Sequence, residues 1–213
     1  MIAVHKGDTA AARAQLYALL AAIFRGPLDA GQVEALRQPE MLAALRAAGI
    51  DPGPDFAASP CAEIREKLAI DFTHVFHHPE GKVMPYEGLM LAVDDELGGK
   101  RREAVERFLA DVGYRVPPER GEMADHIAVE LEFVADLARR EAEAHAQGDQ
   151  TAAARARDIQ RAFLSEHLGR WVDALAEQVS DRSETAFYRN LARALARFVQ
   201  DDRDALCLEP QSA

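Results

Sequence analysis

Glu122-Met123-Ala124-Asp125-His126-Ile127-Ala128-Val129-Glu130-Leu131-Glu132-Phe133-Val134-Ala135-Asp136-Leu137 departs further than any other stretch of the chain from what an ordinary soluble helix requires. It opens on a knot of ionisable groups and runs on as an apolar helix. Gly121 and the Pro117-Pro118 pair stand just upstream and Asp125 is placed to cap a first turn, which predicts a helix starting near 123 to 126. At about 100° per residue, Ile127, Leu131, Val134 and Leu137 fall within about 120° of one another with Phe133 just beyond, so one broad face is to be buried. Glu130 lies inside that stripe. His126, one turn earlier, lies at its edge, so the two are expected to meet at i,i+4, while Glu122 and Asp125 crowd the helix mouth. Acidic groups in a first turn ordinarily complement the helix dipole. This stretch alone therefore fixes a helix and not a function.

The rest of the chain reads as helix and turn. Asp8 and Thr9 are placed to cap a helix carrying Leu16, Leu19, Leu20 and Ile23, stopped by Gly26-Pro27. Short helices are expected at about 30 to 37 and 39 to 48. From Gly49 to Pro60 the prolines and glycine predict a non-helical surface loop. A helix from about 61 to 76 buries Ile64, Leu68, Phe72, Val75 and Phe76, and a loop follows over about 77 to 86. Helix resumes at about 100 to 112, and a connection over about 113 to 122 leads into the stretch quoted first. Residues 149 to about 180 are helical with a bend near Gly169, and a last helix spans about 183 to 201 before a tail at about 202 to 213. No strand pattern or repeat is evident, so a single all-α domain over residues 1 to 213 is the expectation.

Composition narrows the function. Half-apolar make-up with 29% charged residues suits a chain of 213 residues that buries a full core. The net charge of −11 repels phosphate backbones and anionic lipid and favours basic partners, which argues against nucleic acid. Cys61 and Cys207 suggest neither a disulfide framework nor a metal knuckle. The apolar run 16 to 24 is too short to span a bilayer and lacks a cleavage-type ending, so no stable membrane insertion is expected.

Two segments carry a family resemblance. The order Glu122, two residues, Asp125-His126 and then an apolar helix resembles the signature of the TorD/DmsD/NarJ family, all-helical chaperones that help mature molybdenum-containing redox enzymes. The family pattern has Pro after the Glu, where this chain has Met123. Pro85-Tyr86-Glu87-Gly88, preceded by Asp71-Phe72-Thr73-His74-Val75-Phe76, resembles the family's aromatic-rich segment and Pro-Tyr-Glu-Ser motif, with Gly88 in place of Ser and Met90 where an aromatic is common. Trp171 and Phe187-Tyr188 fit the family's C-terminal helices, and the likeness spans Leu16 to about Leu206. It implies a helical bundle of the TorD type and a cytoplasmic chaperone with neither cofactor nor catalytic activity. Its partner would be the twin-arginine leader, and the apo catalytic subunit, of a molybdoenzyme. Both a monomer and a domain-swapped dimer are compatible with it. In that reading Glu122, Asp125 and Glu87 face the leader's arginines and His126 orients Asp125 or donates to peptide backbone. Pro85, Tyr86, Phe72, Phe76 and Leu89 belong to an apolar groove. A charge on His126 near neutral pH would then tune an acidic mouth.

Two alternatives stay open on the residues. One is a NarJ-like assembly chaperone whose client is not exported. The other is a metal-dependent helical-bundle enzyme using the His/carboxylate clusters, for which Asp71, His74 and His78 share a helix face. Against an enzyme, the chain has no Gly-x-Ser-x-Gly elbow, no phosphate loop and no Gly-x-Gly-x-x-Gly after a strand. A carboxylate-bridged di-metal bundle would want two Glu-x-x-His repeats, and only Asp71-x-x-His74 comes near.

Overall fold

A computed structural model describes residues 6–91, 99–116 and 121–208. The expectations for Pro117-Pro118 and for the last five residues lie outside the described residues. The described chain is helical throughout, with one isolated antiparallel bridge, Tyr86 to His126, and no strand. The helices are α1 Lys6–Arg25, α2 Ala30–Leu36, α3 Pro39–Ala47, α4 Pro54–Ala58, α5 Cys61–His77, α6 Glu87–Met90, α7 Gly99–Asp111, α8 Ile127–Ala146, α9 Gln150–Glu166, α10 Val172–Arg182 and α11 Ala186–Leu208. A 3-10 turn, Leu168–Arg170, breaks the chain between α9 and α10 where the bend near Gly169 is expected. Among the described residues no helix is long and apolar enough to cross a membrane.

Contacts divide the chain into two compact units. One comprises Met1–Arg25, Tyr86–Trp171 and Val199–Ala213. Here α1 packs along α8, and α8 along α9. Ile127, Leu131, Val134 and Leu137 are at most 2% exposed, so the stripe read from the sequence is the face that α8 buries. Phe133 stacks edge-on against Phe163, with ring centroids 4.8 Å apart, and Trp171 is fully buried. Each such large apolar side chain contributes roughly 1.5–3 kcal/mol on burial.

The same unit carries a buried ion-pair network that no local pattern announces. Arg13 of α1 reaches Glu141 of α8 (Nη1 to Oε2, 3.1 Å), Asp202 of α11 (Nε to Oδ1, 2.6 Å) and the side chain of Gln160 on α9. Tyr17 donates to Asp202 Oδ2 at 2.8 Å, and burial with the Asp202 charge raises its phenol well above the usual 10. Gln160 donates to Glu141 Oε2 at 2.8 Å, closing the ring of contacts.

The other unit comprises Gly26–Pro85 and Val172–Phe198. Its interior is Phe56 stacked on Phe187 (centroids 5.1 Å apart) and Phe72 against Phe76 and Tyr188 (4.7 and 5.9 Å). Asp71 of α5 is buried. It accepts hydrogen bonds from Glu184 N at 3.0 Å, Thr185 N at 2.9 Å and Thr185 Oγ1 at 2.5 Å, fixing the approach to α11.

Several expectations are corrected. The 49 to 60 segment contains α4, because Pro54 stands at the first helical position, where its missing N–H is no loss, and Gly53 takes the positive φ of 87° that leads into it. Asp8 lies within α1 rather than before it. The tail expected from residue 202 is helix to Leu208, held by the Asp202 ion pair and by Leu206, which is 1% exposed. Asp71 does not join His74 and His78 in a ligand set, since its oxygens are engaged by Glu184 N and by Thr185 while the two histidines are exposed.

Candidate functional site

Two loop segments meet in the first unit and build the site. The turn into α6 and the turn into α8 are joined by the Tyr86–His126 bridge and by Glu87 N donating to Asp125 O at 2.9 Å. Gly88 N donates to Asp125 Oδ2 at 3.1 Å. Asp125 therefore ties down the neighbouring segment and does not cap its own helix, as its position in sequence suggests. The N-cap of α8 is His126, whose Nδ1 accepts from Ala128 N at 3.1 Å. Its ring meets Tyr86 edge-on at 5.0 Å.

Behind this junction lies an acidic interior. Glu87 and Glu130 are fully buried and Asp125 is 3% exposed. Glu87 Oε2 accepts from His167 Nδ1 at 3.0 Å, and Glu130 Oε2 accepts from Trp171 Nε1 at 3.1 Å. Burial, then the Glu87 charge, raises Glu130 well above the usual carboxyl value, and its side chain hydrogen-bonds Glu87. Oε1 of each glutamate is buried without a donor from any other described group. A proton held on Glu130 and directed at Glu87 would satisfy both oxygens, the arrangement that the raised Glu130 value favours. Burial, reinforced by Glu87, also raises Asp125 against the opposing Gly88 N–H. Glu130 thus answers to Trp171 and Glu87 rather than to a His126 side chain one turn back.

Burial, with Arg25 adding to it, lowers His126 from 6.5 to about 4. The imidazole is neutral at pH 7, which overturns the expectation of a charge there. A neutral ring is also what its capping role needs, because Nδ1 must be an acceptor. A depressed folded value means stability present above pH 6.5 and lost as pH falls towards 4. The difference between the two values amounts to about 3 kcal/mol. His126→Asn keeps a capping oxygen and removes the titration, so its acid unfolding curve should lack that loss. Parallel pH profiles for the two proteins would refute the assignment.

The outer rim differs in character. Leu89 and Met123 are 36% and 42% exposed, and Tyr86 is half-buried between their segments. Glu122 pairs through Oε1 with Arg25 Nε at 3.2 Å, and Arg25 also holds Glu132 at 2.9 Å. Glu122 Oε2 and Asp125 Oδ1 are buried carboxylate oxygens with no hydrogen-bond donor among the described residues. The structure thus brings together Tyr86, Glu87, Leu89, Glu122, Asp125 and His126. It places Phe72 and Phe76 in the interior of the second unit, 3% and 6% exposed, where Pro85 is buried too. Of the three acids expected to face the leader's arginines, Glu87 and Asp125 are interior. His167 and Trp171, which complete the polar interior, carry no local sequence signal as site residues.

Residues 34–177 match the family model described as the nitrate reductase delta subunit. The chain is 25% identical to the chaperone protein TorD of Vibrio parahaemolyticus, over 89% of this chain and 92% of that protein. It is 28% identical to the chaperone protein TorD of Shewanella loihica, over 92% and 93%, and 29% identical to that of a Vibrio cholerae strain, over 66% and 62%. The chain belongs to the nitrate reductase delta subunit family, in its TorD/NarJ range, and is a maturation chaperone rather than an enzyme.

Proposed function

We propose that this chaperone acts in the cytoplasm on a molybdenum-containing oxidoreductase, binding the N-terminal leader of its catalytic subunit while the subunit folds and receives its cofactor. The observation that carries the reading is the pairing of exposed Leu89 and Met123 with two donorless carboxylate oxygens, Glu122 Oε2 and Asp125 Oδ1, on the same two segments. A basic-apolar peptide supplies what each lacks: guanidinium donors for the oxygens and an apolar stretch for the rim. Arg25, already on Glu122 Oε1, is an intramolecular example of that contact.

Magnitudes assign the roles. An arginine-carboxylate pair at the partly solvated edge, where Glu122 keeps 16% of its side chain exposed, is worth about 0–1 kcal/mol and is screened by salt. Burying about 500 Å² of apolar leader is worth roughly 12 kcal/mol gross. Ordering the segment returns about 2–5 kcal/mol and rigid-body entropy at least about 4 more, which leaves about −6 kcal/mol at best, binding of tens of micromolar. The rim thus sets affinity and the carboxylates set orientation. A leader peptide titrated in 50 mM and 500 mM salt should keep most of its affinity, within roughly tenfold by the screening argument, and Leu89→Asp should weaken it more than Glu122→Gln does. Loss of nearly all binding at high salt would mean the two roles are reversed. The nitrate reductase delta subunit description is shared with a second reading, an assembly chaperone of the NarJ kind, which we propose would act on a client that is not exported. Co-purification of a catalytic subunit with and without its leader separates the two.

A further inference from the structure

On another side of the first unit a hollow of about 580 Å³ opens between α7 and the segment Ser165–Arg170. Arg101 and Arg107 from α7 and Arg170 from the 3-10 turn line it, with Phe108 and His167 alongside. Asp111 and Glu166 line it as well, so three guanidinium groups face two carboxylates in a chain whose net charge is −11. Arg13, Arg25, Arg139 and Arg140 all pair with carboxylates. Among the described residues Arg107 and Arg170 pair with none, although two acids share their hollow. Arg107 donates only to the carbonyl of Glu103, at 3.3 Å. Arg101 sits 4.0 Å from the buried Glu87 Oε1, a long and loose tie. The volume is that of a small-molecule pocket. Guanidinium forks match the oxygens of phosphate and carboxylate groups, and the half-buried Phe108 ring offers an apolar surface beside them.

We propose that this pocket binds a small anionic ligand through phosphate or carboxylate oxygens, with Arg107 and Arg170 as its principal donors. Arg101 joins them by turning away from Glu87. Occupancy is sensed at the acidic junction, because Arg101 and His167 both approach Glu87, which lies against the Glu130 that accepts from Trp171. The inference stands apart from leader binding, since none of these arginines lies on the rim formed by Leu89 and Met123.

Calorimetric titration of the full chain with sodium pyrophosphate, and separately with sodium citrate, at fixed ionic strength tests it. The expected result is saturable heat for at least one anion and a change in emission of the lone tryptophan, Trp171. Affinity should fall more than tenfold in the Arg107→Ala/Arg170→Ala variant and stay unchanged in Arg155→Ala, which removes an exposed arginine elsewhere on α9. Saturation by pyrophosphate alone identifies a phosphoryl ligand and by citrate alone a carboxylate. No saturable heat with either anion, or heat that survives loss of both arginines, overturns the proposal. Leader affinity measured on the double variant keeps the two functions distinguishable, because it should equal that of the unaltered chain.

Discussion

Arg13→Ala should lower the unfolding free energy of the first unit by about 3–5 kcal/mol at pH 7, the range for removing one partner from a buried ion pair. The guanidinium is 12% exposed and holds Glu141 and Asp202, whose side chains are 2% and 6% exposed. Without it, two carboxylates remain in the interior, with Arg157 at 3.6 Å and the His145 ring at 4.0 Å from Glu141 as neighbouring basic groups. Stranded carboxylates take up protons in the folded state more readily than in the unfolded one. Their contribution is then retained at low pH and lost as pH rises, so the gap between the two proteins should widen from pH 4.5 to 7. Urea unfolding followed by Trp171 fluorescence reads this. A gap below about 1 kcal/mol at every pH would mean that the network behaves like a surface pair.

That network also shows where the sequence stops being informative. The α8 stripe is legible because periodicity encodes one-sided burial, and every residue assigned to it is buried. Helix ends at Gly26, Gly113 and Gly148 are legible because Gly or Pro states a backbone requirement. Asp202-Arg203-Asp204 reads as the beginning of a solvated tail, since three charges in a row ordinarily are. Its continuation as helix depends on Arg13, 189 residues away, which no window can see. Pro54 misleads for the opposite reason. A proline forbids a helix interior but suits a helix start, and only the Gly53 backbone shows which applies.

The site divides the same way. Family likeness led to Tyr86, Glu87, Asp125 and His126, and the structure joins them by backbone hydrogen bonds. Their roles could not be read, because an acidic residue is expected at the surface unless a partner is known. The partners of Glu87 and Glu130 come from His167 and Trp171, on either side of a 3-10 turn whose residues look like core. The expectation of a charged His126 fails for the same reason: its usual value near neutrality presumes contact with water, and 7% exposure removes it.

Glu130→Ala and Glu130→Gln should then part company by several kcal/mol. Alanine strands the Trp171 indole N–H and Glu87 Oε1 and leaves a cavity in a fully buried site, which together cost about 3–5 kcal/mol. Glutamine offers an oxygen to the indole and an N–H to Glu87, the same two contacts that the protonated carboxyl makes. Its folded state should match that of the unaltered protein near pH 5. Above that the curves must diverge. A carboxyl whose folded value is raised stabilises below its unfolded value and loses that contribution as pH climbs towards the folded one, by up to about 1.4 kcal/mol per pH unit for one proton. Glutamine has no proton to lose, so Glu130→Gln should become the more stable protein as pH increases from 5 to 8. The His126 transition is common to both and cancels in the comparison. If Gln proves as damaging as Ala, or the two pH profiles run parallel, Glu130 is not the neutral partner of Glu87 and the interior must be held by two charges instead.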